Sequence, residues 1–329
     1  IFGQNYARHK DQFPNALLAA QADVLILNEY GTDYRDADRA TTTVGNPTAW
    51  LHQSLRKAGY NTIKVAQTTY PTVVATKLPL PVYTTDTNNT TSNGSTVPDA
   101  NDTNISSSIN NNIFLDPYHV RGAVAVPIQV GTRNNQNVLI IGTHLEDSDD
   151  SNGALRLEGM QRILEYCCCM REEDKDCCDQ QTFDAILIAG DFNQQRQRDY
   201  TPEEWQAICA NKKRRQSPTD DGVATALEEA GFRCSYDYVT ASNNNRNSSG
   251  DGDDNYVCTN WKKDNPPPST HWTGTIVDYC YGKDCTRNTW KASSRGQDQE
   301  MNTGNALKPR GIYVSPCGLS DHRLIVTDW

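Results

Sequence analysis

The chain has 329 residues, with 31 lysines and arginines against 41 aspartates and glutamates, for a formal net charge of −10. That balance excludes a protein that coats nucleic acid through a broad basic surface, but not an enzyme that neutralises phosphate with a metal ion and a few local cations. No apolar run approaches the ~18 residues of a membrane-spanning helix, so no helical span is expected.

In chain order, residues 11–21 read as a helix leading into a strand over 23–28, where an apolar run ends on Asn28 and Glu29. Residues 49–58 read as a helix closed by Gly59, and 72–76 as a short β-branched strand. From 84 to 112 the chain is almost wholly Thr, Asn, Ser, Asp and Gly, which predicts a long solvated loop inserted in one domain spanning 1–329. Strands follow over 121–130 and 137–143, the second running into His144. Helical spacing of Leu155, Met160, Ile163 and Leu164 predicts a helix over 153–166. A buried strand over 184–189 leads into Gly190-Asp191-Phe192-Asn193, and helices are expected over 202–210 and 222–230. Residues 241–255 form a second polar loop. The run Thr275-Ile276-Val277 reads as a strand ending on Asp278, and a last strand follows Ser320-Asp321-His322. Strands and helices alternate with both crossover and hairpin connections, which predicts a mixed sheet or paired sheets flanked by helices.

Six Asn-x-Ser/Thr sequons, at Asn88, Asn89, Asn93, Asn101, Asn104 and Asn247, point to N-linked glycans and a secreted or secretory-lumen protein. Eleven cysteines fit that compartment better than a metal–thiolate cluster, because no zinc spacing is present and carboxylates crowd the group from Cys167 to Cys178. Cys280 with Cys285, and Cys234 with Cys258, are candidate disulfide pairs.

Polar residues thus end several apolar strands. Hydrolysis of a phosphate ester needs charge neutralised on the phosphoryl oxygens, a deprotonated water and a stabilised leaving oxygen. Glu29 is the candidate anchor for a hard cation, Mg²⁺ first with Mn²⁺ or Ca²⁺ as alternatives. Asp191 and Asn193, two residues apart, can hold the attacking water and a phosphate oxygen. His322 has the titration range of a general base, Asp278 can fix its tautomer, and His144 can donate to a phosphate oxygen.

The motifs LNE at 27–29, GTHL at 142–145, GDFN at 190–193, VDY at 277–279 and SDH at 320–322 together resemble the endonuclease/exonuclease/phosphatase superfamily, typified by deoxyribonuclease I. The resemblance covers essentially the whole chain. It implies a four-layer α/β/β/α sandwich with two central mixed β-sheets, and a Mg²⁺-dependent phosphoesterase. It also implies that Glu29 and Asp321 serve the metal, that Asp191 and Asn193 position nucleophile and phosphate, and that His322 and Asp278 perform acid–base catalysis. His144 would stabilise the transition state and Arg121 would contact phosphate.

Two departures stand out. Asn28 replaces the family's usual Gln before the metal-binding Glu, and the chain opens at Ile1-Phe2-Gly3, where the family has just completed a strand ending on an Asn. The expectation is that the given sequence lacks its natural beginning. Substrate choice lies in loops. Lys212-Lys213-Arg214-Arg215 reads as a solvated helix end, Trp272 is open between base stacking and packing, and Asp251-Gly252-Asp253-Asp254 lacks an EF-hand continuation. A secreted nuclease is the first expectation, and a phosphodiesterase or phosphatase on lipid or small phosphates the second. A third is a retired enzyme fold serving as an extracellular assembly component, with self-assembly through an unpaired sheet edge if the first strand is truly absent.

Overall fold

A computed structural model describes residues 12, 15, 19, 21–29, 49–66, 68–81, 112–115, 120–131, 136–147, 153–169, 183–210, 222–237, 270–271, 275–285, 311–314, 322 and 325–329. Three strands, β1 (Val24–Leu27), β2 (Thr62–Val65) and β3 (Val73–Thr76), form an antiparallel sheet in the order β1-β3-β2. A larger sheet has the order β4-β5-β6-β7-β9-β8, built from β4 (Asn112–Phe114), β5 (Gly122–Val130), β6 (Gln136–His144), β7 (Ala185–Asp191), β8 (Arg233–Cys234) and β9 (Asp278–Asp284). Within it β6 and β7 run parallel and the other pairs antiparallel. Strands β10 (Gly311–Val314) and β11 (Ile325–Asp328) pair with each other. The helices are α1 (Ala49–Lys57), α2 (Ala154–Cys169), α3 (Pro202–Ala210) and α4 (Val223–Glu229).

The layering follows from the two-residue period of strand side chains. On β1, Leu25 and Leu27 pack with Leu55 and Tyr60 at α1, whereas Val24 and Ile26 turn toward the other sheet. On β6, Val138 and Ile140 face the smaller sheet, whereas Leu139 and Ile141 join Met160 and Ile163 of α2 and Val223 and Leu227 of α4. On β7, Ala185 and Leu187 lie between the sheets, and Ile186 and Ile188 face the helices. Strands apolar on both faces are the signature of a sheet covered on both sides. The result is helix, sheet, sheet, helix: the four-layer sandwich the motifs implied. A crossover through α2 joins the parallel pair β6 and β7, as parallel pairing requires.

Two glycines let the strands carrying the site close up. A Cβ at Gly142 would lie 2.7 Å from Val74 Cγ2 across the sheet interface. Gly190 has φ +145, and a Cβ there would collide with the Thr143 carbonyl of the neighbouring strand.

The helices expected over 49–58, 153–166, 202–210 and 222–230 and the strands over 72–76, 121–130, 137–143 and 184–189 are all present, within a few residues at each end. Residues 275–277 are not a strand, however. Strand β9 begins at Asp278 instead of ending there. It runs antiparallel to β7, so its first residue lies beside the last residue of β7, and Asp278 reaches the same end of the sheet by the opposite polarity. The short strands β2, β4, β8 and β10 carried no sequence reading. Of the loop expected over 84–112, Asn112 instead begins β4 and the rest lies outside the described residues, as do the loop at 241–255 and most of the helix expected over 11–21.

Of the two candidate disulfide pairs, Cys280–Cys285 does not fit the backbone, and Cys258 of the Cys234–Cys258 pair lies outside the described residues. Cys280 is within β9 and Cys285 just past its end. Five residues of one extended strand separate Cα atoms by about 16 Å, far beyond the ~7 Å limit for a disulfide.

Candidate active site

The site is a row of side chains across the ends of three adjacent strands. His144 is paired in register with Asp191, and Asp191 with Asp278. Cross-strand neighbours in register project from the same face, so the ladder itself sets an imidazole and two carboxylates side by side. His322 completes the row from the far end of the chain, through an isolated antiparallel bridge to His271. Its Nδ1 lies 2.9 Å from Asp278 Oδ2, and its Nε2 lies 3.5 Å from Asp191 Oδ2. His144 Nε2 is 3.6 Å from the same Asp191 oxygen. Asp191 therefore sits between two imidazoles.

The smaller sheet contributes from the tip of β1. Glu29 is buried with φ +54, a left-handed backbone that turns the chain out of the strand. Asn28 ties the two sheets together here. With its amide oriented to satisfy its neighbours, the Asn28 nitrogen donates to the Thr143 carbonyl (3.1 Å) and Thr72 Oγ1 (3.2 Å), and its oxygen accepts from the Asp191 backbone N–H (2.8 Å). The Asn28 amide therefore reaches β6, β7 and the residue just before β3 at once.

Arg121, just before β5, is buried and links both halves. Its Nη1 is 2.9 Å from the ring nitrogens of His144 and 3.6 Å from Glu29 Oε1, and its Nη2 is 3.0 Å from Asp147 Oδ1. The guanidinium also lies 4.4 Å from the centre of the Tyr70 ring. A guanidinium cannot accept a hydrogen bond, so the His144 nitrogen it meets is an acceptor and the ring is neutral.

The electrostatics divide the two histidines. Burial, then the charges of Arg121 and His322, hold His144 well below the usual imidazole range. Burial also lowers His322, but the charges of Asp278 and Asp191 outweigh it and raise the imidazole to about 9. Burial pushes the Asp191 carboxyl up to about 7, with His322 opposing and Asp278 reinforcing the shift. Two titratable groups driven apart from their ordinary values within one cluster are a functional signature.

Past β7 the chain turns at once. Asn193 has φ +49, its N–H donates to Asp191 Oδ1 (2.9 Å), and its Nδ2 donates to the Leu145 carbonyl (3.0 Å). Asp191 and Asn193 are adjacent, but through this turn rather than by strand alternation. The following segment is anchored by Arg196, whose guanidinium is buried and donates to both oxygens of Asp199 at 2.6 and 2.7 Å. Tyr279, next to Asp278, donates its hydroxyl to Asp199 Oδ2 at 2.9 Å.

The structure thus brings together Glu29, Arg121, His144, Asp191, Asn193, Asp278 and His322, read from distant parts of the sequence. Asp321 lies outside the described residues, as do Trp272, the basic run 212–215 and the acidic run 251–254. All six sequon asparagines, Asn88, Asn89, Asn93, Asn101, Asn104 and Asn247, do too. Sequence reading assigned no structural role to Asn28 and none to Asp147, Arg196, Thr270 or His271. Of these, Asn28 and Asp147 carried a signal, since Asn28 lies within the LNE motif and Asp147 closely follows GTHL.

Asp191, Asp278 and His322 offer ligand atoms within 4.8 Å of one another. Glu29 connects to this group through Arg121 and His144. The donors are carboxylate oxygens with imidazole and no thiolate, a set that suits a hard divalent cation retaining several waters. By that donor chemistry the residues fit a hard divalent cation, with Asp191 as the carboxylate left by the hydrogen bond that joins Asp278 to His322.

No protein-family model and no curated protein matches the chain. Among solved structures, it is similar to an endonuclease/exonuclease/phosphatase from Beutenbergia cavernae DSM 12333, at 14% identity and TM-score 0.49, over 96% of this chain and 64% of that one. A 3′ phosphatase, NExo from Neisseria, shares 15% identity at TM-score 0.46, over 98% and 96% of the two chains. TDP2 from C. elegans shares 11% identity at TM-score 0.44, over 98% and 70%. The chain spans just under two thirds of the Beutenbergia protein. At these identities the likeness concerns the fold alone, and the chemistry is read from the side chains above.

Proposed function

We propose that the chain is a metal-dependent phosphoric ester hydrolase. The observation that carries this reading is the in-register row His144–Asp191–Asp278 with His322 hydrogen-bonded at its end. Asp278 accepts from His322 Nδ1, so the opposite nitrogen, Nε2, faces Asp191 and the reacting centre. That arrangement fixes the imidazole for proton transfer. The Asp191 charge is one of two that raise His322, and neutralising it brings the imidazole back toward the range of a general base. Neutral His144 carries one N–H that it can donate to a phosphoryl oxygen. Arg121 adds a fixed positive charge, and Asn193 is locked beside Asp191. The chemistry a hard divalent cation supplies when bound at the carboxylates is neutralisation of phosphoryl oxygens and of the leaving oxygen.

The finer reading is a secreted glycoprotein nuclease. The clustered sequons support the compartment, and among the described residues no helix is long and apolar enough to cross a membrane. Nucleic acid or another phosphodiester presents the phosphoryl group that this row of carboxylates and imidazoles suits. The test is a panel of DNA, RNA, sphingomyelin and inositol phosphates, assayed with and without Mg²⁺, with His322→Ala as control. Metal-dependent cleavage of a nucleic acid that falls about 10²- to 10⁴-fold in His322→Ala supports the reading. Cleavage of sphingomyelin or inositol phosphates alone moves the substrate to lipid or small phosphates. A large polymer without hydrolysis, seen on sizing of the glycosylated protein, would replace the enzyme reading with assembly.

A further inference from the structure

Two residues before the start of β9, outside every motif, contact the acid–base pair from behind. Thr270 is fully buried, and its hydroxyl accepts from the Val277 N–H at 3.0 Å and the Asp278 N–H at 3.3 Å. The same turn is closed by the N–H groups of Thr270 and His271, both donating to the Thr275 carbonyl at 2.9 and 3.0 Å. The other side of this backbone is held as well: Phe192 N–H donates to the Val277 carbonyl (2.8 Å) and the Tyr236 hydroxyl to the Asp278 carbonyl (3.2 Å). Every backbone group that aims the Asp278 side chain therefore has a named partner, and the Thr270 hydroxyl serves two of them.

His271 acts on the other member. It forms the antiparallel bridge to His322, and the two rings lie 4.8 Å apart at 60°. His322 is thus held at Nδ1 by Asp278 and against one side of its ring by His271. Both contacts come from one short turn. We propose that Thr270 and His271 form a positioning element for the Asp278–His322 pair, setting the carboxylate through the backbone and the imidazole through its ring. This rests on the hydrolase reading. Thr270 acts through the Asp278 backbone and His271 through the His322 ring.

The physical expectation is specific. A buried N–H left without an acceptor is costly, so Thr270→Val forces the Val277–Asp278 backbone to shift toward another partner, while its near-identical shape preserves packing. Thr270→Ser restores the hydroxyl. Displacements of about 1 Å at a positioned catalytic group cost on the order of 10²-fold in rate.

The experiment measures kcat and KM on the substrate established by the panel, together with the His322 Nδ1–H resonance and imidazole nitrogen shifts by NMR. Thr270→Val is expected to lower kcat about 10- to 100-fold with KM within about twofold, and to lose the hydrogen-bonded Nδ1–H signal. Thr270→Ser is expected to restore both. His271→Ala, which leaves the buried hydroxyl intact, is expected to lower kcat in the same way, with His271→Phe recovering part of it through the ring. Wild-type kcat and an unchanged His322 signal in Thr270→Val would overturn the proposal. So would a fall in kcat that follows only the fraction unfolded in urea, or that Thr270→Ser fails to rescue. If the wild-type protein hydrolyses nothing on the panel, the hydrolase reading fails by itself. The His322 signal then still decides the positioning, since its loss in Thr270→Val and return in Thr270→Ser supports the element, and its persistence in Thr270→Val ends it.

Discussion

Arg196→Met isolates a buried charge whose energetics can be worked from the structure. Arg196 and Asp199 expose only 2% and 4% of their side chains, and the guanidinium meets the carboxylate through two bonds of 2.6 and 2.7 Å. Its other contacts, Asp237 Oδ2 at 3.1 Å and the Tyr281 hydroxyl at 3.5 Å, are weaker or more exposed. Methionine fills most of the arginine stem, so the loss is chiefly electrostatic. Among the described residues, Asp199 is left with the Tyr279 hydroxyl as a partner and no opposite charge paired to it. Removing one member of such a pair costs about 3–5 kcal/mol.

The stranded acid has one escape, which is to take up a proton. Burial already raises Asp199 against the opposing charge of Arg196, and without the arginine it rises further. A folded-state value above the unfolded one means the proton stabilises the fold. In the variant, stability is fully present below the unfolded carboxyl range near pH 3.9 and falls as pH climbs through the raised folded value. The slope is up to about 1.4 kcal/mol per pH unit wherever the unfolded carboxyl is ionised and the folded one is not. Urea unfolding of wild type and Arg196→Met across that range reads the difference directly. The reasoning fails if the variant lies within about 1 kcal/mol of wild type at pH 7, or if its deficit is the same at pH 4.5 and 7.

Glu29→Gln keeps the shape of a buried side chain and removes one negative charge from the metal-facing group, so the Mg²⁺ concentration for half-maximal activity should rise at least about tenfold. Calorimetric Mg²⁺ titration checks this, and unchanged affinity would remove Glu29 from the metal site. Tyr60 is fully buried and donates its hydroxyl to the Ala22 carbonyl at 2.7 Å. Burial, aided by the Asp23 charge, pushes it up to about 12. A raised folded value stabilises the protonated fold, so this contribution is intact below pH 10 and lost toward pH 12. Tyr60→Phe should flatten that alkaline loss in unfolding experiments.

Much of the site was legible because its residues sit at strand ends in short motifs. A strand over 184–189 with Asp191 just beyond, or one over 137–143 with His144 beyond, is fixed by local periodicity and needs no partner to be recognised. The direction of β9 was not legible. The apolar run 275–277 reads as strand by composition, yet its backbone is taken up by Thr270 and Phe192 and not by a ladder. The strands β4 and β8, of three and two residues, are too short for a period of two to declare itself, and exist because longer neighbours offer them hydrogen bonds. The Cys280–Cys285 pairing failed for a related reason. Proximity in sequence implies proximity in space only where the chain turns, and between those residues it is extended.

By itself, then, the sequence determined which residue types stand at the ends of which apolar runs, because alternation and burial are local properties of the chain. It also determined the class of chemistry that carboxylates, imidazoles and an amide so placed can perform. Only the tertiary structure decided that His144, Asp191 and Asp278 stand in one register, that Asn28 clasps both sheets, and that Thr270 and His271 stand behind the acid–base pair. Those relations depend on strand order, direction and register, which are set by packing between segments as far as 44 residues apart or more in the chain and leave no pattern within any one of them.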